Sequence, residues 1–297
     1  MKKQTAKIMM WCWIFLAPNL IFYALFQGWP LLLSFYYSML DWSGIGNDKT
    51  FVGLQNFAEL IRDEYFWNAY RNSFVFAAGS VPVIVVVSLL FAVLLNQPIK
   101  GVATYRTAIF LPVVTMASTV GILMVFLLGA DGPLNSLLLK LSLLRKPINW
   151  LSDADWALVT TILVYSWKHM GMSMIYWLTA LQLVPKDVLE AARVDGAGRW
   201  QSFIHITLPY ILPIGAIIAL LDIASALRAF DLIMTMTAGG PFFKTDVVST
   251  YIYRYAFSSE MGLPRLGYSS AAGIFFGITI IAVALVQHVA TRKLKRA

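Results

Sequence analysis

The segment SFVFAAGSVPVIVVVSLLFAVLL occupies residues 73–95 and contains no charged side chain. About 20 consecutive, predominantly apolar residues are enough for a helix to cross the hydrocarbon core of a bilayer. A helix of this length in a soluble protein needs a face of charged side chains toward water, and this segment offers none. It therefore predicts a transmembrane helix.

Other parts of the chain repeat this pattern, and the composition of the whole chain agrees with it. Hydrophobic residues make up 59% of the 297 residues and charged residues only 13%, against about 25% charged in soluble domains. The sequence predicts an all-α integral membrane protein, a single transmembrane domain over 1–297 with six transmembrane helices. These are predicted at 9–28, 73–95, 107–128, 156–180, 210–230 and 268–290.

The basic residues predict the orientation of these helices. Lys2, Lys3 and Lys7 precede the first apolar run, which is too long for a signal peptide. If the N-terminus is cytoplasmic, the inside segments hold 12 basic and three acidic residues, and the outside loops hold nine basic and eleven acidic residues. Lys and Arg accumulate on the cytoplasmic side of membrane proteins. We therefore expect both termini on the cytoplasmic side, and we expect the protein in the plasma membrane of a bacterium or an archaeon.

Several chemistries lack their sequence signals. The single cysteine, Cys12, and the three scattered histidines do not form a metal-binding pattern, and neither a Gly-Lys-Ser nor a Gly-Lys-Thr phosphate loop occurs. The net charge of +8 is distributed at the ends of apolar runs rather than in a patch suited to nucleic acid. We therefore expect no cofactor, no bound metal, no nucleic-acid partner and no enzymatic activity in this chain.

The most structured cytoplasmic segment is residues 185–209, PKDVLEAARVDGAGRWQSFIHITLP. Pro185 and Asp187 favour the start of a helix, and Gly196 and Gly198 favour its end. A second amphipathic piece follows over 199–206, and Pro209 is expected to open the fifth span. The pattern predicts a cytoplasmic helix-turn-helix that docks on a partner.

This segment resembles the "EAA" loop of ATP-binding-cassette importer permeases. The residues that carry the resemblance follow the family pattern over more than twenty positions: Glu190, Ala191, Ala192, Asp195, Gly196, Ala197, Phe203, Ile206, Leu208, Pro209 and Pro213. The resemblance implies that the loop couples the membrane helices to an ATPase, with Glu190 as the charged contact and Gly196 as the bend. Trp200 and Phe203 would pack either in the ATPase groove or against helices of this chain.

Two outer segments are similar to those of carbohydrate-uptake permeases of the maltose-permease type. One is 51–57 (FVGLQNF) with 66–68 and 71–73; the other combines Phe230 and Asp231 with Gly239-Gly240-Pro241 and 251–254. The resemblance implies a sugar, oligosaccharide or glycerol phosphate as solute. It also implies a second homologous permease in a heterodimer, two cytoplasmic ATPase subunits and an extracellular solute-binding protein.

Ionisable residues inside the predicted spans are the other functional signal, because a charge in hydrocarbon is costly and usually faces a cavity or a partner. Lys168 and Asp222 lie at similar depth, so they could form a structural ion pair, or either could bind solute hydroxyl groups. Arg228 lies near the outer end of its span, from which it can reach water. Trp167 and Tyr176 could stack on a sugar ring or serve helix packing.

One alternative function belongs to another class. An ion-coupled secondary transporter could use Lys168 and Asp222 as its relay. Such a protein would not need the loop 185–209 and usually contains internal repeats, which this chain does not show.

Overall fold

The computed structural model describes the backbone of residues 2–258 and 262–294, and the side chains of residues 9–258 and 262–289. The basic side chains of Lys2, Lys3 and Lys7 and those after residue 290, which contribute to the predicted orientation, lie outside the described residues. The described chain is almost entirely helical. Its helices are α1 (Lys2–Tyr23), α2 (Trp29–Tyr37), α3 (Gln55–Arg62), α4 (Glu64–Leu95), α5 (Val102–Val114), α6 (Ala117–Leu128), α7 (Pro133–Lys140), α8 (Ala157–Gln182), α9 (Lys186–Val194), α10 (Arg199–Ser202), α11 (Leu208–Leu227), α12 (Asp231–Met236), α13 (Val248–Phe257) and α14 (Leu266–Leu294).

Five helical stretches of the described chain are long and apolar enough to cross a membrane. They are Met9–Tyr37, Glu64–Leu95, Ala117–Lys140, Arg199–Leu227 and Leu266–Val289. The predicted fourth span corresponds to α8, which has 26 residues but is not among the five. Polar side chains inside α8, Lys168 and His169 among them, lower its hydropathy.

The third predicted span is not one helix, so the prediction of a continuous helix over 107–128 is wrong. The backbone is extended at Thr115 (φ −76°, ψ 139°) and Met116 (φ −58°, ψ 137°), between α5 and α6. Carbonyl groups that the break leaves without a partner in their own helix accept hydrogen bonds from Lys168 of α8, which stabilises the end of α5. The apolar run thus gives two half-length helices instead of one.

Residue contacts divide the chain into two compact units. The first contains the described residues up to Asp63 together with Ile252–Gly277. Helices α1 and α2 are joined by a π-helical turn at Ala24–Gly28 and form one apolar rod. The most apolar 18 residues of this rod, within Met9–Tyr37, include no buried residue. This exposure is expected of a helix whose surroundings are lipid or another protein.

The residues that follow the rod in the first unit are held together by a strand pair and by side-chain hydrogen bonds. Strands β1 (Leu40–Asp41) and β2 (Thr50–Phe51) pair antiparallel, and the buried Asn56 donates to the carbonyl oxygens of Ser38 and Leu40 at 2.9 Å each. Arg265 donates to both carboxylate oxygens of Glu59, at 2.5 and 2.7 Å. This hydrogen-bonded pair lowers the pKa of Glu59 below its ordinary value of 4.5, so Glu59 is ionised at neutral pH.

The second unit contains Glu64–Tyr251 and the described residues from Ile278. Helix α4 packs against α8 and α11, α5 packs along α8, and α6 packs along α12. A buried apolar cluster joins the C-terminal parts of α4 and α8 to the N-terminal part of α11, and it includes Ala92, Met174, Trp177, Leu181 and Ile211. The segment 185–209 follows α8 at this end of the core.

Candidate functional site

Helix α9 forms the first half of the segment 185–209, and its end has a defined geometry. Gly196 adopts φ +83°, a left-handed conformation that glycine adopts without the cost of a Cβ atom. The amide of Ala197 donates to Ala192 O (2.9 Å) and the amide of Gly196 donates to Arg193 O (3.1 Å). These two bonds form a Schellman motif, which satisfies the last carbonyl groups of the helix. The predicted end of the helix at Gly196 is confirmed.

The second half of the segment differs from the prediction at its far end. Helix α10 continues through a π-helical turn, Phe203–Thr207, directly into α11. Pro209 therefore lies inside a continuous rod, Arg199–Leu227, rather than at the start of a separate helix. Proline lacks the N–H that an α-helix would use, and a π-turn is one way in which a helix accommodates the missing hydrogen bond.

The side chains of this segment point in two directions. Leu189 packs against the buried cluster of the second unit, whereas Glu190, Ala191 and Asp195 are exposed and Ala192 and Ala197 are half-buried. Trp200 is 72% exposed and stacks on Phe203 with ring centroids 6.0 Å apart. One face thus holds the segment on the helices of this chain, and the other face is free to bind a partner.

Lys168 of α8 binds the C-terminal end of α5, at the break in the predicted third span. Its ammonium group donates to the carbonyl oxygens of Pro112 (3.2 Å), Val113 (3.4 Å) and Thr115 (3.0 Å). These carbonyl groups lie where α5 ends, and a cation at a helix C-terminus is stabilised by the helix dipole. Lys168 is only 6% exposed. Its buried charge is compensated by these three carbonyl acceptors, one for each hydrogen of the ammonium group.

Gly171 explains how α5 comes close enough for this cap. It lies one turn after Lys168 on α8, and a Cβ atom there would lie 2.5 Å from the carbonyl oxygen of Ile109. Any side chain at position 171 would push α5 away from α8. The close approach of α5 to Gly171 and the hydrogen bonds of Lys168 therefore belong to one helix interface.

Asp222 and Lys168, for which an ion pair was one of two possibilities, have different hydrogen-bond partners in this structure. The hydroxyl group of Ser173 donates to the carboxylate of Asp222, 2.9 and 3.0 Å from its two oxygens. In the described chain, Lys168 is bonded to backbone carbonyl groups and not to Asp222. Similar predicted depth on two helices is therefore not enough to make their side chains partners.

Ser173, the partner of Asp222, belongs to a row of three polar side chains on α8 that the sequence analysis did not single out. Tyr165, His169 and Ser173 are each four residues apart on α8, and the Tyr165 and His169 rings stack with centroids 3.9 Å apart. The spacing of four is a sequence signal for one polar helix face, and it could have identified Tyr165 and Ser173.

The two aromatic candidates lie elsewhere. Trp167 is two residues from Tyr165, so it projects from another side of α8, where it is 40% exposed. Tyr176 packs against the buried cluster shared by α4, α8 and α11. Trp167 therefore lies off the polar row formed by Tyr165, His169 and Ser173, whereas Tyr176 lies on the same helix face, one turn beyond Ser173, and packs against the cluster.

The chain is similar to known proteins over almost its whole length. Residues 66–296 match the family described as binding-protein-dependent transport system inner membrane component. The lactose transport system permease protein LacF of Rhizobium radiobacter is 31% identical over 286 residues, which cover 95% of this chain and 94% of LacF. The multiple sugar-binding transport system permease protein MsmF of Streptococcus mutans is 30% identical over 283 residues, 95% of this chain and 96% of MsmF.

A solved structure has a similar fold. It is the structure of a bacterial ABC transporter involved in the import of the acidic polysaccharide alginate. One of its chains matches this chain with a TM-score of 0.81 and 25% sequence identity, and the match covers 98% of each chain.

Proposed function

Because this chain belongs to the family of binding-protein-dependent transport system inner membrane components, we propose that it helps to form the membrane pathway of an importer for a sugar or an oligosaccharide. It is a permease of the ATP-binding-cassette type, in agreement with the carbohydrate permeases LacF and MsmF. The observation that carries the coupling part of the proposal is the exposed helix α9, which ends at Gly196 and leads into the rod Arg199–Leu227.

The partners follow from the same proposal. Two cytoplasmic ATPase subunits supply the energy, and one of them binds the exposed face of α9 through Glu190. A second homologous permease binds the other ATPase and completes the pathway as a heterodimer, and an extracellular binding protein delivers the solute. When ATP binding closes the ATPase dimer, α9 moves with it and carries the motion into α8 and α11, which switches the pathway between inward- and outward-facing states. ATP hydrolysis takes place in the ATPase subunits.

An uptake experiment tests this function. The chain is reconstituted in vesicles with its partner permease, its ATPases and the binding protein, and radiolabelled sugar uptake is measured with ATP or with an imposed ion gradient. We expect uptake only with ATP, and no ATP hydrolysis by the chain alone. Uptake driven by a proton or sodium gradient would instead support the secondary transporter, which the comparisons do not favour.

The proposed topology has six spans with both termini in the cytoplasm, and α8 is the span that apolarity alone does not identify. Its lower hydropathy is compatible with a span, because its polar face lies against α5 and α11 rather than lipid. The family match at 66–296 includes parts of both compact units, which supports one permease domain over 1–297.

Cysteine labelling tests this topology in intact cells. In a Cys12→Ser background, Ile45→Cys is expected to react with a membrane-impermeant maleimide, since the segment between β1 and β2 lies outside. Lys100→Cys is expected to react only after permeabilisation. Labelling of both positions in intact cells would contradict the proposed orientation.

We further propose that Asp222 contributes to the solute pathway. Its carboxylate is half-buried and has Ser173 as hydrogen-bond partner, which leaves acceptor capacity for a sugar hydroxyl group. We assign Lys168 to the span itself, because its hydrogens are directed at carbonyl oxygens. Trp167 and Tyr176 remain candidates for stacking on the solute only if the helices rearrange.

Substitution of Asp222 by asparagine separates a solute contact from a purely structural role. A charge-assisted hydrogen bond contributes about 1.5–3 kcal/mol, so we expect the solute concentration for half-maximal uptake to rise at least about tenfold. Ser173→Ala is the control, because it removes the intramolecular partner and keeps the carboxylate. Equal losses of thermal stability in both variants, with unchanged uptake per assembled transporter, would contradict the solute contact.

A further inference from the structure

A groove of about 600 Å³ lies between the inner part of α4 and the segment 185–209. One wall is a row of aliphatic side chains one turn apart on α4, Val85, Leu89 and Val93, which also pack against the buried cluster. Val86 and Leu90, on the outward side of this row, line the groove and are 56% and 58% exposed. The groove is therefore lined by apolar side chains along a membrane-spanning helix, and it opens on the surface of the second unit.

The other wall is both aromatic and basic. Trp200 and Phe203 line it with their stacked rings, and the exposed side chains of Arg193 and Arg199 lie at its edge. Arg193 follows Leu189 by one turn, so it lies on the face of α9 that is turned toward the membrane helices. Among the residues of the described chain that line the groove, none is acidic.

The depth of the groove indicates the kind of molecule that fits. Helix α4 ends at Leu95, and Asn96 and Gln97 line the groove beside the arginines, which marks the membrane boundary. From Leu95 to Val85 the helix rises about 15 Å, so the apolar wall extends well into the hydrocarbon region. A soluble ATPase does not reach this depth, whereas an acyl chain does.

We propose that this groove binds an anionic phospholipid, with the headgroup phosphate between Arg193 and Arg199 and an acyl chain along α4. Basic pockets at the cytoplasmic ends of membrane helices suit anionic headgroups, and guanidinium groups bind phosphate in bidentate geometry. Trp200 lies at the level that aromatic side chains occupy at the membrane interface. The lipid links the coupling segment to α4, so it joins the element that receives the ATPase motion to the span beside it.

Native mass spectrometry of the purified full chain tests this site with defined probes. Phosphatidylglycerol, phosphatidylcholine and glycerol phosphate are added separately, without ATP, solute or ATPases. We expect retention of phosphatidylglycerol at least about tenfold above phosphatidylcholine, and no retention of glycerol phosphate, which lacks the acyl chains. Each basic residue at a membrane surface contributes about fivefold in affinity. Arg193→Gln/Arg199→Gln is therefore expected to weaken phosphatidylglycerol retention about thirtyfold.

Lys100→Gln/Lys186→Gln is the matched control, because it removes two positive charges from the same side of the membrane without changing a residue of the groove. Equal loss in both double variants would show a general surface attraction and overturn the site. Equal retention of both lipids would do the same. The measurement is repeated after the second permease is added, and displacement of the lipid in that sample would make the groove a protein interface and also overturn the site. The lipid site rests on the proposed function only through the assignment of the cytoplasmic side. Because the lipid measurement uses neither ATP nor solute, a negative result there is distinct from a failure of transport.

Discussion

Gly196→Val is expected to reduce ATP-driven uptake at least about tenfold while the chain still inserts into the membrane. Gly196 has φ +83° at the end of α9, where a β-branched side chain costs about 1–3 kcal/mol. A Cβ atom at this position would meet no other atom within 4 Å, so the cost arises from the backbone and not from a clash. Relief of this strain breaks the two hydrogen bonds that end α9 and turns Glu190 away from the ATPase.

Gly198→Val is the matched control for this prediction. Gly198 lies two residues later with φ −68° and ψ 163°, a conformation open to any residue. The measurements are the amount of chain in the membrane, the co-purification of ATPase subunits and the rate of sugar uptake. We expect all three to be near wild type in Gly198→Val, and only the first in Gly196→Val. Wild-type uptake in Gly196→Val would show that the bend has no part in coupling.

The parts of this structure that the sequence predicted best are local. The end of α9 follows from glycine at one position and from the hydrogen bonds of the preceding turn, all within six residues. The apolar runs similarly indicated where α4, α8, α11 and α14 would lie. Both signals depend on neighbours in sequence, and such neighbours can be read without knowledge of the fold.

The parts that the sequence did not predict depend on distant residues. The break at Thr115 lies inside a run, 107–128, that contains no charged residue, and the group that stabilises the break, Lys168, is more than fifty positions away. Depth along two helices suggested an ion pair between Lys168 and Asp222, but depth does not determine the direction of a side chain. Hydrogen-bond partners across helices are set by helix rotation, which apolar runs of this kind leave undetermined.

Lys168→Met is expected to lower the stability of the assembled transporter by about 2–4 kcal/mol. The substitution keeps the length of the side chain but leaves the carbonyl groups of Pro112, Val113 and Thr115 without their shared donor. Unpaired polar groups in a buried site cost about 1–3 kcal/mol each before the structure relaxes. The measurement is the unfolding temperature of the purified chain, together with the yield of the assembled complex.

Two controls distinguish the cap from the loss of any cation in a span. Arg228→Met also removes a positive charge, but Arg228 is exposed and donates to Ala224 O in its own helix, so we expect a much smaller loss. Lys168→Arg keeps the charge and the donors, and is expected to recover part of the stability. Equal losses in Lys168→Met and Arg228→Met would show that the cap is unimportant.

The double variant Lys168→Met/Asp222→Leu decides between the cap and the ion pair. If the two side chains formed a pair, removal of both would relieve a stranded charge, and the double variant would be more stable than either single variant. Because Lys168 binds backbone carbonyl groups and Asp222 binds Ser173, we expect the two losses to add instead, as they do for sites without shared partners. A double variant more stable than Lys168→Met would mean that the pair forms in the membrane and that the cap at Thr115 is not what holds the third span.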